Sequence, residues 1–208
     1  MKLRAALAEK VGVDADKIDF ADGRMVAGSK SWSLAEAAGD EGLMAEDGIE
    51  YEKIDKMPQA NFGAHFVEVA VDSYTGETRV RRMLAVCAAG RIINPKTARS
   101  QVIGAMTMAV GAALMEELKV DKKRGYFVNH DLAGYEVPVH ADIPHQEVIF
   151  LDETDPASSP MKAKGVGELG ICGVAAAVAN AVYNATGVRV RDYPVTLDKI
   201  IEGLPEMA

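Results

Sequence analysis

The sequence predicts an α+β fold in which alanine-rich helices pack against a mostly antiparallel sheet. Apolar and polar residues alternate in 64–72 and again in 78–87, on either side of the turn letters SYTGE, which is typical of a β-hairpin. Two longer runs, 98–114 and 171–185, are rich in alanine and valine, and their apolar residues recur at helical spacing. Strands and helices in this order favour one sheet covered by helices.

The first sixty residues predict a small unit. We expect an amphipathic helix over 3–11 and two short strands over 17–27. Ser33 and Glu36 form a capping box that opens a short helix. Residues 40–63 are acidic and rich in turn formers, which indicates a linker or a wrapping arm. The predicted division of the chain is a partial N-terminal portion, 1–60, and a C-terminal subdomain, 61–208.

Further helices and strands follow the hairpin. Asn94 and Pro95 supply a helix N-cap and a proline at the first helical position, so a long helix should run from there to about Leu118. The other predicted elements are strands over 126–128 and 147–151, a helix over 171–185, a strand over 188–195, and a last helix capped by Thr196.

Composition and charge exclude several classes of partner. Of 208 residues, 49% are hydrophobic and 26% are charged, as in ordinary globular proteins, and the formal net charge is −8. Because this charge does not attract phosphate backbones or anionic lipid, we expect neither nucleic acid nor a membrane as a partner. No stretch reaches the roughly 20 apolar residues of a membrane helix. The first residues also lack the apolar core of a signal peptide, so we expect a soluble chain.

Cysteine and histidine spacing predicts no metal site. Cys87 and Cys172 lie far apart, in none of the spacings that hold zinc or an iron–sulfur cluster. The four histidines never occur at i, i+4 spacing, so we interpret them as solvated loop or strand residues. No residue of the chain is therefore predicted to ligate a metal.

The letters GVGELG at residues 165–170 match GxGxxG, and Asp192 follows at the distance of a ribose-binding acid. A dinucleotide loop, however, follows directly from a buried strand, and the preceding letters SSPMKAK contain no apolar run. The alternative is a general base, because Glu168 lies among glycines at the start of an apolar helix, where we expect poor solvation. Glu168 could also simply cap its own helix.

A second candidate binding segment covers residues 91–97, at the start of the long predicted helix. A helix N-terminus offers free N–H groups to an anion, Arg91 and Lys96 add positive charge, and Thr97 adds a hydroxyl. Gln101, one turn further on, has an amide that can donate and accept. This set suits a phosphate-bearing heterocycle, and the alternative is an ordinary capped helix with a basic edge.

Several motifs together resemble one enzyme family. They are HFVEVAVDSYTGETRV, the turn GRIINP, a glutamine-bearing helix of small residues, KGVGELG, and the closing ATGVRVRDYPVTLDKI. This combination is similar to the C-terminal part of the molybdenum-binding subunit of the xanthine dehydrogenase and aldehyde oxidase family. The resemblance is strongest to bacterial aldehyde oxidoreductases that use molybdopterin cytosine dinucleotide. It is strong from about residue 60 and looser before it, and it implies the molybdenum-cofactor-binding fold of that family.

The resemblance also implies roles for individual residues. Glu168 corresponds to the catalytic base of the family, and molybdenum would be held through the pterin rather than by a side chain. The implied cofactor-binding residues are Arg91, Ile92, Ile93, Asn94, Pro95, Lys96, Thr97, Gln101, Lys164, Gly165, Val166 and Gly167. We expect Glu168 and the helix that begins at Asn94 to face one pocket.

The family oxidises aldehydes or N-heterocycles, giving carboxylic acids from aldehydes with oxygen taken from water. The resemblance therefore implies a molybdopterin cytosine dinucleotide cofactor, with iron–sulfur clusters and FAD on partner subunits. The rest of the molybdenum subunit would be a further partner, because the family's subunit is several times longer. We expect this chain to be a C-terminal fragment, or one product of a split gene, that is inactive alone. Its compartment stays open between the periplasm, as part of an exported complex, and the cytoplasm.

Two other hypotheses remain beside this one. A small nucleotide-binding oxidoreductase would use the GxGxxG letters, and it requires a parallel strand running straight into Gly165. A non-catalytic assembly module would fold around the hairpin and the alanine-rich helices and contribute an interface to larger subunits.

Overall fold

The structure is a computed structural model that describes residues 2–46, 48 and 60–205. The chain divides into two compact units, 1–55 and 56–208. Half of the predicted linker, residue 47 and residues 49–59, lies outside the described residues, so the predicted division at residue 60 stays a prediction. The two units are described separately below.

The first unit contains a three-stranded antiparallel meander and two helices. The predicted helices and the first two strands are present, and the capping box between Ser33 and Glu36 is formed in both directions. The strand Lys30–Ser33 was not predicted. The elements are α1 (Lys2–Val11), β1 (Asp19–Ala21), β2 (Arg24–Ala27), β3 (Lys30–Ser33) and α2 (Leu34–Ala38).

The second unit is built on a three-stranded sheet and two long helices, which confirms the predicted α+β class. The hairpin is formed as predicted, and it pairs with a third strand further along the chain in parallel rather than antiparallel orientation. The elements are β4 (Phe62–Val71), β5 (Thr78–Ala88), α3 (Pro95–Leu114), β6 (Val120–Asp121), β7 (Tyr126–Phe127), β8 (Gln146–Phe150) and α4 (Val174–Thr186).

The core of the second unit lies between one face of the sheet and the two helices. Alternate residues of β5 point into it, and α3 and α4 contribute small and β-branched side chains, so the helices approach closely. The buried residues of this cluster are Val80, Met83, Ala85, Cys87, Val102, Met106, Ala109, Val110, Ala113, Val174 and Val178.

Helix α3 ends four residues before the predicted Leu118. The carbonyl of Gly111 accepts the N–H groups of both Met115 and Glu116, and the carbonyl of Ala113 accepts the N–H of Val195. The Glu116 N–H thus bypasses the Ala112 carbonyl that a continued helix would use, and Val195 occupies the Ala113 carbonyl, so no further helical turn is formed.

The end of the chain also differs from its prediction. Residues 188–195 form no strand, because the N–H of Val188 bonds the Thr186 hydroxyl and that of Val195 bonds the end of α3. The predicted last helix is replaced by two short 3₁₀ turns, Leu197–Lys199 and Ile201–Gly203. Helix α4 starts at Val174, three residues later than expected, after a series of turns.

Candidate functional site

The segment 162–168 carries the predicted catalytic residue and is tied to the end of β5. The N–H of Arg91 donates to the Lys162 carbonyl at 2.8 Å, and the N–H of Lys164 donates to the Ala89 carbonyl at 2.9 Å. Gly90, between them, has a φ of 64°, and a β-carbon there would lie 2.7 Å from the Lys162 oxygen. The close approach therefore requires glycine at this position. The hydrogen bonds of Arg91 and Lys164 bring the two predicted binding segments, 91–97 and 164–167, side by side.

One cavity, which we call the helix-side cavity, lies between this segment and the start of α3. Its volume is about 360 Å³. Eight of the residues predicted from the sequence line it, namely Arg91, Ile92, Ile93, Asn94, Thr97, Gln101, Lys164 and Val166. Pro95 and Lys96 are exposed but are not part of its lining.

The start of α3 does not offer the free N–H groups that the sequence predicted. The Asn94 side chain accepts from the N–H of Lys96 at 3.1 Å and from that of Thr97 at 3.2 Å. The Asn94 carbonyl accepts the N–H of Ala98, and Pro95 has no N–H to give. Because these donors are used by the cap, an anion here would be bound by the exposed side chains of Arg91 and Gln101 instead.

A second cavity, which we call the glutamate cavity, lies on the other side of the segment and measures about 780 Å³. Glu168 lines it together with Gly165 and Gly167. A β-carbon on Gly167 would meet no atom within 4 Å, so the main chain faces open space there. The other lining residues are Ala60, Asn61, Phe62, Gly63, His65, Leu169 and Cys172.

The predicted site is therefore divided between two cavities that share the segment 163–168 as a wall. Lys164 and Val166 line the helix-side cavity, whereas Gly165, Gly167 and Glu168 line the glutamate cavity. The expectation of one pocket is corrected, because neighbouring residues of this segment face opposite sides. Glu168 is exposed rather than poorly solvated, and its carboxylate has no hydrogen bond or ion pair within the described ranges.

Lys164 is tied to carboxylates that the sequence reading did not single out. Its Nζ lies 2.7 Å from Oε1 of Glu153 and 3.8 Å from Oδ2 of Asp155, and its side chain is only 10% exposed. The Lys164 ammonium, and next the N–H of Gly90, hold the pKa of Glu153 below its usual value. The charge of Lys164 is thus already compensated before any ligand binds.

The sequence also did not identify His65 and Asn61 as residues of the site. The Asn61 amide donates to the Gly165 carbonyl, and Nε2 of His65 lies 3.4 Å from the Leu169 carbonyl oxygen. The interpretation of His65 as solvated is corrected, because it is half-buried and burial lowers its pKa. The signal in the sequence was the spacing: positions 61, 63 and 65 alternate onto one side of the strand, with glycine in the middle.

The GxGxxG alternative is not supported by the fold. Residues 151–164 separate β8 from Gly165 and contain no strand, so none runs directly into the glycines. Gly170 instead packs on α3, where a β-carbon would lie 2.8 Å from the Val102 Cα. In the part of the chain that is described, no three or more His, Cys, Asp or Glu residues are grouped to bind a metal, and no helix has the length and hydropathy to cross a membrane.

Residues 1–144 match the family model described as molybdopterin cofactor-binding domain. The chain is 68% identical, over all of its 208 residues, to the aldehyde oxidoreductase molybdenum-binding subunit PaoC of Escherichia coli, of which it covers 28%. It is 39% identical over 160 residues, 77% of its length, to the putative xanthine dehydrogenase molybdenum-binding subunit XdhA of the same species, of which it covers 21%. The chain thus spans roughly a quarter of the length of these relatives.

Solved structures give the same picture. An aldehyde oxidoreductase from Desulfovibrio desulfuricans is 33% identical with a TM-score of 0.63, over 70% of this chain and 16% of that one. Quinoline 2-oxidoreductase from Pseudomonas putida, at 23% identity, shares the fold with a TM-score of 0.76 over 98% of this chain and 29% of that one. The match to the family model ends before Gly165. The similarity of the glycine segment to known proteins is therefore shown by the full-length match to the Escherichia coli subunit.

Proposed function

The chain belongs to the molybdopterin cofactor-binding domain family, and from this we propose that it forms the part of an aldehyde-oxidising molybdenum enzyme that carries the catalytic base. The proposed cofactor is molybdopterin cytosine dinucleotide. The proposed reaction oxidises an aldehyde to a carboxylic acid, or alternatively hydroxylates an N-heterocycle, with oxygen taken from water. The support for aldehyde chemistry is the identity to an aldehyde oxidoreductase subunit along the whole of this chain.

The residues present fit such a cofactor on two grounds. The main chain at Gly167 faces open space, and at Gly165 only the Asn61 amide nitrogen, at 3.8 Å, lies within 4 Å of a β-carbon position, so a ligand can lie against this backbone without meeting a β-carbon. On the other side of the shared wall, Arg91 and Gln101 are exposed and offer the charged and amide donors that a phosphate-bearing ligand needs. A ligand with chemically different parts suits two cavities of different character.

Glu168 would act as a general base. When bound, the cofactor would supply the metal-centred oxidation chemistry and store the electrons. Glu168 would take the proton of the attacking water at a carboxylate oxygen, and nothing in the described chain competes for that oxygen. The single observation that carries this role is the free carboxylate of Glu168 on a backbone that is fixed on both sides, at Lys164 and at Leu169.

Other subunits would have to receive the electrons. The chain has two cysteines, Cys87 and Cys172, and the first is buried in the core. Two thiols cannot supply the four ligands of an iron–sulfur cluster. We therefore propose that the iron–sulfur clusters lie on partner subunits, and, as the family resemblance implies, FAD as well. The name of one relative, 6-hydroxypseudooxynicotine dehydrogenase complex subunit gamma from Paenarthrobacter nicotinovorans, supports assembly into a complex of several subunits.

A chimera tests the proposal. This chain would replace the matching 28% of the Escherichia coli subunit, and the assembled enzyme would be assayed for aldehyde oxidation and for its molybdenum and nucleotide content. We expect the chimera to be active, and Glu168→Gln to lower kcat by about 10²–10⁴ with unchanged cofactor content, as for loss of a general base. Glu202→Gln, an exposed carboxylate in a terminal turn, is the matched control.

Unchanged turnover in Glu168→Gln, with normal assembly, would refute the catalytic role and favour the assembly module. We also expect the isolated chain to show no aldehyde oxidation with a dye acceptor, because most of the relatives' length is absent from it. Turnover by the isolated chain would contradict the view that it is an incomplete portion.

A further inference from the structure

Asn61, directly before β4, and His65, within β4, hold the main chain on either side of Glu168. Asn61 donates its amide hydrogen to the carbonyl of Gly165, three residues before Glu168. His65 lies with Nε2 at 3.4 Å from the carbonyl oxygen of Leu169, directly after Glu168. The two side chains are four residues apart, and so are the two carbonyls that they contact. The start of β4 therefore runs alongside the segment that carries the glutamate.

Gly63 lies between the two contacts and also lines the glutamate cavity. A β-carbon at this position would lie 2.8 Å from the carbonyl oxygen of Val86 on the neighbouring strand. On the side of the strand that carries Asn61 and His65, the position between them therefore has no side chain, and Gly63 lines the cavity there. The two contacts flank the cavity without filling it.

The state of His65 follows from its partner. A carbonyl oxygen can only accept, so Nε2 carries the hydrogen, and in the neutral ring Nδ1 is an acceptor. Nδ1 is buried and has no hydrogen-bond partner among the described residues. A buried acceptor without a partner costs free energy, which an apolar side chain would avoid. The contact to Leu169 is what a histidine provides here and an apolar residue would not.

We propose that Asn61 and His65 are positioning residues that fix Glu168 by holding the carbonyls of Gly165 and Leu169. The inference rests on the proposed function, since it assigns these residues to the same base. Gly165 and Gly167 give the segment a large conformational freedom when it is not held. A shift of about 1 Å in a reacting group can cost on the order of 10²-fold in rate, so holding the segment matters for catalysis.

The first test is hydrogen exchange on the chain itself. In His65→Leu the bond to Leu169 is lost. We expect the hydrogen-bonded amides on either side of Glu168, those of Lys164 and Ile171, which donate to the carbonyls of Ala89 and Glu168, to exchange at least about tenfold faster. His65→Gln places an amide N–H near the position of Nε2 and should restore slow exchange. His140→Leu, at an exposed histidine of a 3₁₀ turn, is the control. Equal exchange in His65→Leu and the unaltered chain overturns the proposal.

Asn61→Ala keeps the test decisive if His65→Leu fails to fold. It removes only the contact to Gly165, and we expect faster exchange of the same amides with an unchanged unfolding midpoint. No change in exchange would overturn the role of Asn61.

The second test uses the chimeric enzyme. We expect His65→Leu to lower kcat with little change in KM, and His65→Gln to recover most of kcat. If exchange is faster but kcat is unchanged while Glu168→Gln is inactive, the positioning role is wrong and the proposed function stands. If Glu168→Gln is fully active, the proposed function fails whatever the exchange data show.

Discussion

Oε1 of Glu153 joins the ammonium of Lys164 to the end of β5. The oxygen lies 2.7 Å from Nζ of Lys164 and also accepts the N–H of Gly90 at 2.8 Å. One carboxylate thus links the loop after β8, the segment that leads to Glu168 and the turn after β5. The arrangement explains why Lys164 is nearly buried although it is charged.

We expect two substitutions that break this link to lower the unfolding free energy of the second unit by different amounts. Lys164→Met leaves the carboxylates of Glu153 and Asp155 close together without a cation, whereas Glu153→Gln leaves Lys164 near Asp155. We therefore expect a larger loss of unfolding free energy in Lys164→Met, measured by urea unfolding at pH 7. Because the pKa of Glu153 is lowered in the folded chain, its contribution is present at pH 7 and is lost as pH falls through the acid range. The stability difference between the unaltered chain and Glu153→Gln should shrink at acid pH, and a constant difference would contradict this.

The cap of α3 should be measurable by substitution. Asn94→Ala removes the acceptor of two backbone N–H groups, and we expect a loss of about 1 kcal/mol in unfolding free energy. Asn94→Asp keeps an acceptor and should lose much less. Thermal unfolding followed by far-UV circular dichroism checks both. Equal stability of the two variants would show that the cap contributes little.

The contact between Gly170 and α3 predicts a strong effect of one methyl group. A β-carbon at Gly170 would lie 2.8 Å from both Cα and O of Val102. Gly170→Ala is therefore expected to cost about 1–3 kcal/mol through forced displacement of α3. Gly167→Ala, where a β-carbon meets nothing within 4 Å, is the matched variant and should change stability far less. Under the proposed function it should instead weaken cofactor binding, so cofactor content of the chimera separates the two.

His65 predicts a second pH effect with the opposite origin. Burial lowers its pKa, so below neutral pH the unfolded chain takes up a proton that the folded chain resists. The unfolding free energy should therefore fall as pH decreases through the ordinary histidine range. His65→Gln cannot titrate and should fall less over the same range. Urea unfolding between pH 7.5 and about 5 provides the comparison, and parallel curves for the two proteins would contradict the prediction.

Local patterns allowed much of the fold to be predicted. The alternation in 64–72, the capping box at Ser33 and the Asn94-Pro95 pair each specify a structure through contacts within a few residues. The parallel partner of β5 and the loss of the strand over 188–195 depend on contacts between distant parts of the chain. Those contacts leave no period in the sequence.

The same limit applies to the site. The glycine segment and the helix at Asn94 were identified from residue types alone. The division of the predicted site residues between two cavities depends on which way each side chain of 163–168 points. Glu153 acts through contacts to Lys164 and Gly90, and His65 through a contact to Leu169, all between distant parts of the chain. Such residues resemble ordinary surface or strand positions until the chain is folded.

The parallel pairing of β8 with β5 has a consequence for how the second unit forms. Met83 pairs with Gln146 only after the intervening chain, which includes α3, has crossed the sheet. Contacts between residues roughly sixty positions apart are slow to close, so the hairpin and α3 should form first and β8 should dock late. The loop that bears Glu153 follows β8 directly. The contacts that this loop makes to the segment leading to Glu168 should therefore form last in folding.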